Sequence, residues 1–288
     1  MDFFLNLIII FSYHAILAIG LMYVAGFSGT MSFAQGAFLA VGAYSYALLI
    51  TTVGWSFFPA MFAGFIITGI VAWLISYPVL KLKDDSLMFV TFAFAIIVFN
   101  LLLNFRGLTN GALGIKGIPK PEIFGFSFDT NFSFMILSIV CLIGVFLLYR
   151  WIVKSPYGTV LRGIRENEVV MQVSAYDAKR YARSAFVVGA AFMVFAGMLR
   201  ATHIGFIEPR SFDLMASVQI VIMVLIGGLG NIWGALVGAA IVVMIPEALR
   251  FVGIPDAYLA ESQQIIYGVI LILLMYKRPQ GIVGNYKL

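Results

Sequence analysis

Very few side chains in the sequence have the type and spacing that chemistry requires. The two histidines, His14 and His203, lie far apart, with no H-E-x-x-H motif or carboxylate pair near either. Neither hydrolysis nor metal catalysis therefore has a candidate set of residues, and His14 is expected to be a hydrogen-bonded packing residue. No G-x-x-x-x-G-K-S/T loop occurs, so the chain has no Walker site for nucleotide phosphates. We predict a protein that is not an enzyme and needs no cofactor of its own.

Ionisable residues are almost absent from the interior of the hydrophobic runs: more than two residues from an expected end, only His14 and Glu247 occur, and Glu247 is itself near an end. Transport coupled to an ion gradient often uses a carboxylate at mid-depth, because a charge there is costly and is retained only for function. Sodium can also be held by backbone carbonyls at broken helices, and glycine clusters at 26–44 and 227–239 are candidates for such breaks. The sequence disfavours a self-contained ion-coupled secondary transporter but leaves that class open.

The composition of the chain predicts that membrane-spanning helices position its few polar residues. Of 288 residues, 62% are hydrophobic and 11% are charged, and the mean hydropathy is +1.03, unlike a soluble domain. We therefore predict an all-α polytopic integral membrane protein, a single domain over 1–288, with about nine (8–10) transmembrane helices. The predicted spans are 3–24, 31–52, 59–80, 86–105, 132–152, 182–202, 213–229, 232–250 and 262–277.

The longest polar interval, residues 154–183, fixes a predicted orientation. If this interval is cytoplasmic, alternation of nine spans places the N-terminus and loop 106–131 outside and the C-terminus inside. Of the 18 Lys and Arg residues, twelve then lie inside and six outside, which follows the positive-inside rule. The net charge of +5 thus reflects loops that set orientation, and we expect contact with membrane lipid and not with nucleic acid.

Within this interval, Ser155 and Pro156 predict a helix start, and a helix of about 17 residues is expected to follow. Val160, Ile164 and Met171 fall on one stripe of that helix, opposite Arg162 and Glu166. An amphipathic helix of this kind either rests on the inner leaflet or docks on a cytosolic partner. We favour docking, which would make it a cytoplasmic coupling helix.

Several segments of the chain match one family in order. The runs LRGIRENEVV and AKRYARSAFVVGAAFMVFAGML, together with KLKDDSLMFVTFAFA, LTNGALGIKGIP, GFIEPRSFD, VLIGGLGNIWGALVGAAIVVMIPEALR and KRPQGIVG, cover nearly the whole sequence. They resemble the permease subunits of ABC importers for branched-chain amino acids, of the type called LivM-like. The resemblance implies a half-pore in the bacterial inner membrane that translocates Leu, Ile or Val.

The partners that the resemblance implies are a second, LivH-like permease, two cytoplasmic ATPase subunits that bind the ATP, and a periplasmic amino-acid-binding protein. The ATPases would dock at 154–183 and the binding protein would deliver substrate on the side of loop 106–131. Permeases for urea and short amides share the architecture and are the nearest alternative. The docking positions carried over are Gly158, Arg162, Arg165, Glu166, Asn167 and Glu168.

Just after these positions the chain departs from the family pattern. Relatives commonly have a small-residue stretch ending in Leu-Gly, where this chain has Ser174, Ala175, Tyr176 and Asp177. The turn geometry, the partner ATPase and the substrate subclass are therefore left open by the sequence.

A permeating amino acid needs polar contacts for its ammonium and carboxylate groups. Four polar residues are predicted near mid-depth as candidates for the translocation path: Ser32, Gln35, Asn100 and Gln219. For Ser32 and Gln35 the alternative is helix packing, because 26–44 is rich in small residues that let helices approach closely.

Overall fold

The computed structural model describes residues 2–29, 31–82, 84–123, 125–255 and 258–284. Its helices are α1 (Asp2–Ser28), α2 (Gln35–Thr51), α3 (Phe57–Val79), α4 (Asp84–Asn104), α5 (Arg106–Thr109), α6 (Asn131–Lys154), α7 (Pro156–Glu166), α8 (Glu168–Val173), α9 (Ala178–Ile204), α10 (Leu214–Gly227), α11 (Ile232–Phe251) and α12 (Leu259–Lys277). The short strands are β1 (Ile115–Lys116), β2 (Glu122–Ile123), β3 (Phe126–Ser127) and β4 (Phe206–Ile207). The fold is thus all-α with a few paired residues in the loops.

Eight helices in the described ranges are long and apolar enough to cross a bilayer. The prediction of a polytopic membrane protein is therefore confirmed, whereas the count of nine spans is not. The predicted span 31–52 corresponds to α2, which has only 17 residues because residues 31–34 before it are not helical. The other predicted spans each overlap one membrane helix, with ends that differ by up to four residues.

Helices α1 and α9 form the centre of the bundle. In the apolar 18-residue stretch of each of these helices, 72% of the residues are buried, compared with 11% in α12. Gly20 and Gly189 lie where the two helices cross, and an added Cβ at Gly189 would overlap the Val24 side chain. A second crossing joins α2 to α9, where a Cβ at Gly197 would lie 2.8 Å from the Leu39 carbonyl oxygen. Small residues thus let the backbones of the central helices approach each other closely.

The two ends of the bundle differ in character. At one end, called the α7 end, residues 155–177 connect α6 to α9, and the chain after α12 folds back so that Ile282 N–H donates to the Ile226 carbonyl (3.0 Å). At the opposite end, β1 in loop 106–131 pairs antiparallel with β4, which follows α9. Loop 106–131, which the sequence predicts as an external loop, also contains α5 and the β2–β3 hairpin.

Candidate functional site

The segment between α6 and α9 consists of two helices instead of the single 17-residue helix predicted from the sequence. Ser155 begins α7 as predicted, and its side chain accepts a hydrogen bond from Gly158 N–H (3.4 Å). Asn167 then leaves the helical region, with φ of −157° and ψ of 98°, and its side chain caps α8 by accepting from Val170 N–H (3.1 Å). The prediction of one helix was wrong because Asn167 ends one helix and starts the next.

The apolar stripe predicted on this segment does lie on one side of it, against the start of α9. Val160 and Ile164 of α7 are buried against Ala178 at the start of α9, and Met171 and Tyr181 pack on the same cluster. Met171 reaches it because the break at Asn167 folds α8 back over α7.

Gly158 and the two arginines carried over from the resemblance hold the segment on the membrane helices. A Cβ at Gly158 would lie 2.5 Å from the Val153 carbonyl oxygen, so α7 starts in direct contact with the last turn of α6. Arg162 donates through Nη2 to the same carbonyl (3.4 Å). Arg165 donates through Nη1 to the Gly26 carbonyl in the last turn of α1. These three residues therefore attach α7 to the bundle.

Glu166 and Asn167 lie exposed at the junction of α7 and α8, whereas Glu168 accepts a hydrogen bond from the Gln172 side chain (3.0 Å). Next to them the short helix α8 carries three solvent-exposed valines: Val169, Val170 and Val173, with exposed fractions of 68%, 56% and 84%. We call these three residues the valine patch. Sequence reasoning missed the patch, although apolar residues at 169, 170 and 173 in a polar interval were a signal for it.

Residues 174–177, where the chain departs from the family pattern, form a left-handed turn without glycine. Ala175 has φ of +64°, and Tyr176 N–H donates to the Met171 carbonyl (3.1 Å), which closes the end of α8 in the manner of a Schellman motif. Asp177 then caps α9 by accepting from Arg180 N–H (3.1 Å). The turn geometry that the sequence left open is therefore the one that glycine usually provides.

The start of α2 lies inside the protein and its free N–H groups are met by hydroxyl groups. The N–H groups of Phe33, Ala34 and Gly36 donate to the hydroxyl oxygens of Thr91 (3.1 Å), Ser32 (3.2 Å) and Ser217 (3.0 Å). Non-helical backbone at membrane depth requires such partners. Ser32 thus serves as a local capping group, and Ser217 is a polar residue of this site that sequence reasoning missed.

Gln35, the first residue of α2, is fully buried, and neither its Nε2 nor its Oε1 has a hydrogen-bond partner. A buried amide without partners is costly, because its desolvation is not repaid. Gln35 therefore lacks the hydrogen bonds that a buried polar side chain usually makes.

The other two path candidates lie elsewhere. Gln219 lines a groove of about 270 Å³ between α10 and α12. At the end away from α7, this groove also contains Arg200, Arg210 and Asp213. Asn100 lies on the exposed surface of α4 and donates to the Ile96 carbonyl (2.9 Å). The structure therefore places Ser32 and Gln35 at the start of α2, Gln219 in the groove between α10 and α12, and Asn100 on the exposed surface of α4.

Both histidines contact neighbouring groups within the helix bundle. His14 Nδ1 lies 2.8 Å from the Ile10 carbonyl, which confirms the packing role expected for it. His203 stacks on Phe134, with ring centroids 5.5 Å apart. Within the described ranges, no group of three or more His, Cys, Asp or Glu side chains is placed to hold a metal ion.

Fold and site together define a multi-pass membrane protein with a two-helix segment at one end and polar groups at a helix break. Comparison with known proteins identifies its family. Residues 3–275 match the family model described as "Branched-chain amino acid transport system / permease component", and the chain belongs to this family.

Curated relatives agree with this assignment. The chain is 30% identical to the high-affinity branched-chain amino acid transport system permease protein LivM of Salmonella typhimurium and to that of Escherichia coli, over 93% of this chain and 67% of each relative. It is 27% identical to the corresponding LivH protein of Escherichia coli, over 95% of this chain and 92% of the relative. No solved structure matches the chain.

Proposed function

We propose that the chain is a permease subunit of an ABC importer that carries branched-chain amino acids across the bacterial inner membrane. The observation that carries this proposal is the family match over residues 3–275, which includes every membrane helix except the last residues of α12. The proposed substrates are Leu, Ile and Val, as the names of the relatives suggest.

The proposed assembly pairs this chain with a LivH-like second permease, two cytoplasmic ATPases and a periplasmic binding protein. The sequence has no Walker loop, so the energy source must bind elsewhere. The valine patch is suited to dock a protein, since apolar side chains exposed together outside the membrane usually mark an interface. We place the ATPase there, with Glu166 and Asn167 at the edge of the contact.

Movement of the docked ATPase would be transmitted to the centre of the bundle through a small set of contacts. From α8, Met171 packs against α7, and α7 is joined to α1 through Arg165 and to α6 through Gly158. On the other side, α8 leads directly into α9 through the turn at Ala175. Because α1 and α9 form the core, a shift of the segment would bias the two membrane states between which an importer alternates.

The proposed orientation puts the α7 end in the cytoplasm, with the N-terminus outside and the C-terminus inside. The excess of Lys and Arg in the segments that the sequence predicts to be cytoplasmic, twelve against six, supports this orientation. Loop 106–131 then lies outside, where a binding protein would deliver substrate.

For the substrate path we propose the surroundings of Gln35 and the groove at Gln219. Gln35 offers an unpaired donor and acceptor, and the groove contains both cationic and anionic side chains, the pair of charges that a zwitterion needs. Asn100 stays a candidate only if the second permease covers the exposed face of α4.

The function is tested by reconstituting the chain with its proposed partners in liposomes. We expect ATP-dependent uptake of leucine that requires the ATPases and the binding protein. Uptake by this chain alone, driven by an ion gradient and indifferent to ATP, would contradict the proposal. Preference for urea or short amides over Leu, Ile and Val would contradict the proposed substrate.

The docking surface has a matched control. Val173, 84% exposed in the valine patch, and Val252, 79% exposed at the opposite end, can each be changed to Asp. We expect Val173→Asp to abolish co-purification with the ATPase and Val252→Asp to leave it intact. Equal co-purification of both variants would show that the ATPase docks elsewhere.

A further inference from the structure

A cavity of about 350 Å³ at the α7 end is lined by three cationic side chains and by no carboxylate. It lies between the last turns of α6, the helix α7 and the start of α11, and the cations are Arg150, Lys154 and Arg162. Arg150 and Lys154 are four residues apart on α6 and so share one helix face. In the described part of the chain neither makes an ion pair. The cavity is therefore strongly positive without an internal counter-charge.

The N-terminus of α11 adds to this positive potential. Residues 230–233 line the same cavity, and the 20-residue helix α11 begins at Ile232. The Asn231 side chain meets only one of the first N–H groups, that of Trp233 (3.1 Å). The partial positive charge of a helix start and three cations thus act on the same space, which is the arrangement that binds phosphate groups.

One side of the cavity is apolar. Trp233, 57% exposed, and Phe146 form an aromatic pair with ring centroids 5.6 Å apart, and both line the cavity. Arg150 and Lys154 also line a neighbouring cavity of about 470 Å³, together with the exposed side chains of Leu147 and Trp151. Tryptophan beside cations at the end of a membrane helix is typical of the level of lipid headgroups.

We infer that this cavity binds the phosphate headgroup of an anionic phospholipid, with an acyl chain lying along Phe146 and Leu147. A free phosphate or an acidic protein surface would use the cations but not the adjoining apolar wall, whereas a phospholipid uses both. The lipid would also contact Arg162 of α7, so its presence would favour one position of the segment that carries the valine patch. This inference does not depend on which substrate is transported.

The test compares two double variants of the purified chain in nanodiscs that contain phosphatidylglycerol and phosphatidylcholine. Arg150→Gln with Lys154→Gln removes two cavity cations and leaves Arg162, which attaches α7, unchanged. The control, Lys277→Gln with Arg278→Gln, removes two exposed cations at the same end of the bundle. Bound lipid is measured by native mass spectrometry, and selectivity by the electron paramagnetic resonance of spin-labelled lipids.

We expect the wild type and the control to retain phosphatidylglycerol. In the cavity variant, the selectivity for phosphatidylglycerol over phosphatidylcholine should fall about tenfold or more. Equal retention by the cavity variant would overturn the inference. Displacement of the lipid by millimolar inorganic phosphate would assign the site to free phosphate instead. Both double variants are also co-purified with the ATPase. Loss of the ATPase by the cavity variant alone, with its lipid retention unchanged, would assign the cations to the ATPase interface and would also overturn the inference.

Discussion

Arg165 of α7 donates a hydrogen bond to the carbonyl oxygen of Gly26 in the last turn of α1, 139 residues earlier in the chain. The last four carbonyls of a helix lack partners within it, and a cation there also interacts favourably with the helix dipole. Arg165 thus caps the C-terminal end of α1 and at the same time ties α7 to one of the two most buried helices of the bundle. It is a direct contact between the proposed docking segment and the core.

Replacement of Arg165 by Met is expected to lower the stability of the protein by about 1 to 2 kcal/mol, because the charged hydrogen bond is lost. It should also lower the amount of substrate carried per ATP hydrolysed, since α7 is released from α1. Thermal unfolding of the purified chain and the ratio of transport to hydrolysis in liposomes measure the two effects. Lys179→Met, at an exposed position, is the control. An unchanged ratio in Arg165→Met would show that coupling takes another route.

Gly158→Ala is expected to destabilise the junction of α6 and α7 by about 1 to 3 kcal/mol, the usual result of forcing a methyl into packed surroundings. The added Cβ would lie 2.5 and 2.6 Å from the carbonyl oxygens of Val153 and Ile152. Gly144→Ala in the middle of α6 is a matched control, because its Cβ meets nothing within 4 Å. It should be neutral or stabilise the helix by about 0.5 to 1 kcal/mol. If both variants unfold at the same temperature, the close contact at Gly158 does not exist.

Ala175→Gly is expected to stabilise the turn between α8 and α9 by about 1 kcal/mol, because a left-handed conformation is strained for alanine but not for glycine. Ser174→Gly is the control, since Ser174 has φ of −78° and gains nothing from glycine. Hydrogen exchange of the α8 amides would show slower opening in Ala175→Gly and faster opening in Ser174→Gly. Faster exchange in both variants would contradict a left-handed turn at Ala175.

The membrane helices could be predicted from the sequence because an apolar run of bilayer length has few alternatives to a spanning helix. The exception, α2, begins late because Phe33, Ala34 and Gly36 N–H groups find hydroxyl partners on α4, on residue 32 and on α10. Two of those partners, Thr91 and Ser217, come from distant parts of the sequence, so no local pattern indicates them. The same holds for Ser217, whose role depends on a contact with a residue 181 positions away.

The proposed docking segment, residues 155–177, was predicted in position but not in detail. Its place, its start at Ser155 and the stripe of Val160 and Ile164 follow from local patterns. The break at Asn167 does not, because asparagine favours caps and turns but also occurs within helices, so its presence alone does not mark a helix end. The roles of Arg162 and Arg165 could not be foreseen either, since their partners belong to α6 and α1.

Gln35 offers the sharpest test of the proposed substrate path. If its buried amide has no partner, Gln35→Met, similar in size and apolar, should raise stability by about 1 to 3 kcal/mol, since the desolvation penalty disappears. A residue kept at such a cost is expected to serve transport, so the same variant should lower the rate of leucine uptake several-fold. Gln280→Met, at an exposed position after α12, is the control for the loss of an amide. A fall in stability would mean that Gln35 has a partner within the protein. A rise in stability with unchanged uptake would remove Gln35 from the path.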